Sequence, residues 1–193
     1  MAGAQSAGWR TLVGRCSCVY GPATHWGVPL RLSRMPPDSS YGVFEIGMNH
    51  AGEIAPLTQM VRPHVAVVTT VGPVHIEFFG SVEAIAHAKA EIFQGLEPGG
   101  VAVLNGDDPA TDVLRADAAA ADVSRIVTFG TATDADVRLL DLDAGPDRST
   151  VTAQVFGKTV RYVMGAPGRN AAAEILRDAR IKPAQMREAH DVL

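Results

Sequence analysis

The chain has 193 residues, 47% of them hydrophobic and 20% charged, with a formal net charge of −4. Those proportions suit a globular domain with a sizeable core, and charge of mixed sign, with no basic block, argues against nucleic acid as a partner. Cys16 and Cys18 have neither zinc-site nor redox-motif spacing and are too few for a disulfide framework; no apolar run reaches the roughly 18 residues of a membrane span, and the first residues lack the apolar core of a signal peptide, so a cytoplasmic setting without membrane attachment is expected.

Residues 1–23 read as an irregular segment. "YGVFEI" from Tyr41 is a short apolar run expected as a strand. "GEIAPLTQMVRP" sets Ile54, Leu57, Met60 and Val61 on one helical face, and Pro63 closes it. "HVAVVTTVG" is a second strand. "SVEAIAHAKAEIFQGL" is a helix with Ser81 as N-cap and glycine and proline beyond its end. "GVAVLN" is a third strand, "DDPATDVLRADAAAAD" a helix with Pro109 in its first turn, and "SRIVTFG" a fourth strand. This alternation predicts an α/β fold, a mostly parallel sheet covered by helices on both faces. "ADVRLLDLDAG", "STVTAQVFG" and "KTVRYVMG" alternate in hydropathy and are expected as antiparallel edge strands. "AAAEILRDAR" and "PAQMREAHDVL" are expected as closing helices, which gives a main domain over residues 24–170 and a helical tail over 171–193.

Open parallel sheets bind ligands beyond the carboxyl ends of their strands. The polar residues expected there are Glu45 with Asn49 and His50, Thr69 and Thr70 with His75 and Glu77, and Asn105 with Asp107 and Asp108. Strand ends also meet water, so position alone divides evenly between a site and a solvated edge. Lys89 adds a second signal: it lies on the stripe formed by Val82, Ile85, Ile92, Phe93 and Leu96. A lysine on an apolar face snorkels, pairs or is chemically changed. A snorkelling stem or a pairing with Glu45 is the bland account, and a functional lysine beside a carboxylate and a histidine is the sharp one. Glu45 and His75 could hold a divalent ion, the carboxylate suiting magnesium better than the imidazole does. "GKT" at Gly157–Thr159 is not a phosphate loop, because position 152 is threonine and the segment lies between alternating strands; it reads as a hairpin turn.

"GVFEIGMNHAGEI", "RPHVAVVTTVGPVHIEFFGSVEAIAHAKAEIF" and "GGVAVLNGDD", with "THWGVPLRLSRMP" before them, resemble the central domain of the Mur ligases from Thr24 to Asp108, and more loosely on to Gly168. The branch resembled is the one that joins D-alanyl-D-alanine to a UDP-linked muramoyl tripeptide, using ATP, in peptidoglycan synthesis. The resemblance implies that Glu45 and His75 serve Mg2+, that Lys89 is the lysine the family carbamylates, that Asn105 lies in the nucleotide-binding region, and that Asn49, His50 and Thr70 lie near the muramoyl-peptide substrate. The chain departs from the family in lacking a G-x-x-x-x-G-K-[ST] run between Met1 and Tyr20, in having Ala23-Thr24 where an Asn-Asn pair is usual, and in lacking the histidine expected in "GAPGRN". An incomplete, inactive copy that binds ATP no tighter than about millimolar is therefore expected, without the UDP-binding and amine-binding domains. A non-catalytic nucleotide- or metal-binding module and a folylpolyglutamate synthase of the same superfamily are the alternatives.

Overall fold

The computed structural model describes residues 16–18, 25–73, 76–145 and 148–164. They fall into two compact units divided between Met48 and Asn49, so the division lies within the domain expected over residues 24–170. The closing helices and "GAPGRN" lie outside the described residues.

In the first unit, β1 (Cys16–Cys18) and β2 (Tyr41–Val43) pair in parallel, Cys16 opposite Tyr41 and Cys18 opposite Val43. Helix α1 (Gly27–Ser33) lies between them in sequence and buries Val28 and Arg31. The strand expected over the whole of "YGVFEI" is thus only three residues long. Its ladder partner is β1, in a two-stranded sheet, whereas the expectation placed it in one sheet with the strands that follow.

The second unit is built on six strands in sequence order: β3 (Val65–Val68), β4 (Val101–Asn105), β5 (Arg125–Gly130), β6 (Val137–Ala144), β7 (Ser149–Val155) and β8 (Lys158–Met164). The ladders from β3 to β6 are parallel, and those joining β6, β7 and β8 are antiparallel. Around them lie α2 (Ile54–Val61), α3 (Ile76–Phe79), α4 (Val82–Ala90), which runs directly into a 3-10 helix (Glu91–Gly95), and α5 (Thr111–Ala120). Right-handed crossovers between sequential parallel strands put α4 and α5 on one face of the sheet, and the two helices pack on each other. Ala66, Val68, Ala102 and Leu104 alternate along β3 and β4 and are buried with Ile85, Ala86, Leu114 and Ala118 of those helices. Each large side chain buried there contributes about 1.5–3 kcal/mol.

Helices on both faces were expected. Among the described residues, the opposite face joins Val101 and Val103 to an apolar cluster drawn from β5 to β8, centred on Val127, Phe129, Val137 and Val151. The expected all-antiparallel edge also begins one strand later. Residues 131–136 are too few for a helical crossover, so β6 overlaps β5 only at Phe129–Val137 and Gly130–Arg138 and then runs beyond it. The Asp136 carboxylate anchors that overlap by accepting from the Thr128 backbone N–H at 2.8 Å and from its hydroxyl at 3.0 Å.

Local expectations mostly hold. Ser81 is extended and its hydroxyl oxygen accepts from Ala84 N at 3.1 Å. Helix α5 starts at Thr111, which leaves Pro109 in the turn before it. Met60, expected on the buried face of α2, is 46% exposed, and Thr58 is buried in its place. Phe156 and Gly157 form the two-residue turn between β7 and β8 with φ of 45° and 80°, the double positive φ of a type I′ hairpin. The hairpin reading of "GKT" is therefore correct.

Candidate site at the strand ends and the adjoining loop

The carboxyl ends of β3, β4 and β5 are stitched together by the turn that follows β4. The Asn105 side-chain amide donates to Thr69 O across the β3–β4 boundary at 3.1 Å, and its carbonyl accepts from Asp107 N at 3.0 Å. Gly106 N donates to Phe129 O at 2.7 Å. Both Asp107 oxygens accept from Thr131 N, at 3.0 and 2.8 Å, which ties the turn to the end of β5. Asp108, 8% exposed, is the centre of this edge. One of its oxygens accepts from the Thr70 hydroxyl at 3.1 Å and Val71 N at 2.7 Å, and the other from Ala110 N at 2.9 Å. A buried carboxylate needs such donors, because leaving it unpaired costs several kcal/mol.

Lys89 sits in the last turn of α4 and is half-buried. Burial pushes its pKa below the ordinary lysine value, while the negative charge of Asp108 acts the other way. The apolar stripe explains the burial: Ile85, Ala86, Ala88 and Phe93 around it are buried. An amine so placed is more readily deprotonated and therefore more nucleophilic than a surface lysine.

The segment from Asn49 to Glu53 forms a closed loop ahead of α2. Glu53 accepts from Asn49 N at 2.7 Å and meets His50 Nδ1 at 3.2 Å, and these two contacts, in that order, hold its carboxyl below the usual range. The His50 ring lies against Phe78 of α3 at 5.0 Å between centroids, tilted by 57°. Phe78 is 56% exposed, an aromatic beside a candidate substrate residue that the sequence pattern did not single out.

Helix α2 and the 3-10 helix are joined along one seam. Glu91 accepts from Gly52 N at 2.5 Å, Ile54 N at 3.1 Å and Ala55 N at 3.2 Å. The Thr58 hydroxyl donates to Ile92 O at 2.8 Å, and Arg62 pairs with Glu97. At Gly95 a Cβ would overlap the backbone carbonyl of Thr58, so only glycine permits the approach.

Of the expected site residues, Thr70 and Asn105 share the β3–β4 edge, where Asp108 links Thr70 to the turn after Asn105 and also influences Lys89. Asn49 and His50 share the loop held by Glu53. Glu45 is exposed in the first unit, and His75 lies outside the described residues. Among the described residues no three His, Cys, Asp or Glu side chains gather as a metal-ligand set. Two surface depressions lie away from this edge. One is lined by Leu96, Gly99, Gly100 and Val123 at the amino ends of β4 and β5. The other, between α4 and α5, is lined by His87, Glu91 and Asp117, with His87 Nδ1 2.7 Å from the Asp117 carboxylate. No described helix is long and apolar enough to cross a membrane.

The parallel sheet thus carries at its carboxyl edge an Asn-Gly-Asp-Asp turn whose Asp108 also acts on the half-buried Lys89. The chain belongs to the Mur ligase middle domain family, which matches residues 10–176. More particularly, it is similar to UDP-N-acetylmuramoyl-tripeptide--D-alanyl-D-alanine ligases. That of Escherichia coli is 45% identical over 82 residues, which is 42% of this chain and 18% of the relative. That of Bacillus subtilis is 36% identical over 135 residues, 70% of this chain and 28% of the relative. The chain thus spans little more than a quarter of these relatives at most. The crystal structure of MurF from Acinetobacter baumannii superposes with a TM-score of 0.76 at 26% identity, over 84% of this chain and 35% of that one. MurF from Thermotoga maritima, solved with ADP, gives 0.69 at 25%, over 83% and 36%. The apo form of L. casei FPGS gives 0.59 at 21%, over 77% and 35%, a likeness of fold alone.

Proposed function

We propose that this chain is the central domain of an ATP-dependent amide ligase that joins D-alanyl-D-alanine to UDP-N-acetylmuramoyl-tripeptide in peptidoglycan precursor synthesis. The observation that carries the reading is the contrast between solved structures, a TM-score of 0.76 at 26% identity for MurF against 0.59 at 21% for the folate-type structure, with 45% identity over 82 residues to a ligase of that name beside it. In the reaction, a carboxylate oxygen of the tripeptide attacks the γ-phosphorus of ATP, the bond to the bridging oxygen breaks, and ADP leaves an acyl phosphate. The D-alanyl-D-alanine amine adds to the acyl carbon and loses a proton, and the tetrahedral intermediate expels phosphate as the amide forms. Such chemistry depends mainly on positioning and on charge stabilisation.

The residues divide this work. The lowered pKa of Lys89 favours the neutral amine, which adds to carbon dioxide and releases a proton, turning a cation into a carbamate anion. By resemblance Glu45 and His75 are proposed as metal ligands, and a carbamate on Lys89 would be an anion suited to Mg2+, whose charge would offset that of the phosphates. Asn105 keeps one amide hydrogen and one carbonyl lone pair beyond its internal bonds for the nucleotide. Asn49, His50 and Thr70 present polar groups to the muramoyl peptide.

Two measurements test this. Carbon-13 bicarbonate added to the full chain at mildly alkaline pH should give a carbamate resonance that disappears in Lys89→Ala. Calorimetric titration should detect UDP-N-acetylmuramoyl-tripeptide and not a folyl substrate. Binding of the folyl compound alone, or of neither, would overturn the substrate assignment, and a missing carbamate signal would overturn the role given to Lys89.

A further inference from the structure

We infer that Glu91 is a positioning residue of the proposed site, locking the loop that bears Asn49 and His50 to the helix that bears Lys89. This rests on the reading of His50 as substrate-facing. Glu91 follows Lys89 by two residues, at the point where α4 passes into the 3-10 helix. Its carboxylate crosses to the other element and takes the backbone N–H groups of Gly52, Ile54 and Ala55. Those groups belong to the first turn of α2 and the residues just before it, where a helix leaves N–H donors without internal partners. A carboxylate suits them both as an acceptor and as a negative charge at the helix N-terminus. The usual cap would come from the residue before the helix, but Glu53 provides no side-chain cap. It faces backwards instead, to Asn49 N and His50 Nδ1.

The division of labour between these two acids is what makes Glu91 more than a cap. Glu53 closes the loop on itself, and Glu91 fixes that closed loop to the Lys89 helix. The Thr58 hydroxyl on Ile92 O and the close approach at Gly95 continue the same seam, so α2 has little freedom to slide along it. His50 is then placed by three constraints: Glu53 on its Nδ1, Phe78 against its ring, and Glu91 on the backbone beyond it. Removing the Glu91 charge relaxes only the last of these, and leaves loop closure and the aromatic contact without a fixed base.

The test uses the full chain with Glu91→Gln, and Glu91→Asp as the conservative variant. Glutamine keeps the volume and one acceptor oxygen but turns an N–H donor toward N–H groups. Hydrogen exchange at Gly52, Ile54 and Ala55 should quicken at least about tenfold. The His50 ring resonances should move toward their positions in Phe78→Ala, and affinity for UDP-N-acetylmuramoyl-tripeptide should fall about tenfold, with cooperative thermal unfolding retained. Glu91→Asp should fall between the two. If exchange quickens while the His50 resonances and the affinity stay at wild-type values, Glu91 is a helix cap only and the inference is overturned. If the wild-type chain does not bind the muramoyl peptide, the functional reading fails, and the His50 resonances alone decide whether Glu91 positions the loop.

Discussion

Asp108 offers the most direct perturbation of the strand-end edge, because it is buried and accepts three hydrogen bonds from three different residues. Asp108→Ala strands Val71 N and Ala110 N in a buried setting. Each unsatisfied donor costs about 1–3 kcal/mol, and the lost hydroxyl contact adds little because Thr70 can turn to water, so the total is about 2–6 kcal/mol. For a chain of this length each kcal/mol moves the melting midpoint by about 2–4 °C, which predicts a fall of roughly 4–24 °C. Asp108→Asn keeps the shape but faces an amide N–H against a backbone donor, and should lose about 1–3 kcal/mol. Asp112→Ala, an exposed acid in the first turn of α5, is the control and should lose no more than about 1 kcal/mol. Urea unfolding at neutral pH, followed by circular dichroism with equal slopes across the set, gives the comparison. If Asp108→Ala destabilises no more than Asp112→Ala, the edge is not held by this carboxylate and the account of the site's scaffold is wrong.

Gly95→Ala should destabilise by about 1–3 kcal/mol or more, since the obstruction is Thr58 backbone that cannot swing aside; Gly106→Ala, where the nearest atom is Phe129 O at 3.5 Å, should change stability by less than about 1 kcal/mol. Equal effects of the two, measured by thermal unfolding, would refute the tight α2 seam. Lys89 carries a depressed pKa in the folded chain, so between that value and the ordinary 10.5 the unfolded chain binds more protons and stability rises with pH. Lys89→Met should flatten that rise and be more stable at neutral pH, and an unchanged slope of unfolding free energy against pH would exclude the burial argument.

Most of the fold was legible because apolar periodicity is a strong signal. The helix from Val82 and the strands from Val65, Val101 and Arg125 stand where their patterns put them, and Ser81 is the cap its position suggests. "YGVFEI" was harder: a short apolar run does not reveal its ladder partner, and β1 offers only Cys-Ser-Cys as a clue. The β5–β6 overlap was invisible because it depends on one carboxylate, Asp136, folding the intervening loop back onto Thr128. Met60 fits the helical stripe as well as Leu57 does, yet the seam takes Thr58 because its hydroxyl reaches Ile92 O. For the site, the strand-end rule pointed to the β3–β4 edge, where Thr70, Asn105 and Asp108 are linked, and the apolar stripe pointed to Lys89, which is half-buried. The strand-end rule could not rank the acids there, since nothing in a one-dimensional pattern says which carboxylate will meet which backbone N–H. Glu91 was passed over for that reason, although its place two residues after Lys89 at the end of an amphipathic helix was in plain view.

Hydrogen-bonding capacity sorts those residues further. Asp108 accepts three internal donors from a buried position, so its work is to hold the edge and to set the field at Lys89. Thr70 gives its single proton to Asp108 and can offer a ligand only its oxygen as an acceptor. Asn105 spends one of two amide hydrogens and one of two carbonyl lone pairs, which leaves one position of each kind directed by a side chain already fixed at both ends. A side chain immobilised by internal bonds loses little further freedom when a ligand takes its remaining positions. On the proposed reading, the stitching of the strand ends therefore does not compete with binding at Asn105; it would prepare the residue for it. His50 follows the same logic in the neighbouring loop, with Nδ1 held by Glu53 and the ring against Phe78, so that under the proposed function Nε2 would be the nitrogen to meet a substrate. Lys89 differs in kind. The role proposed for it depends on changing its charge state, which its partial burial on α4 favours.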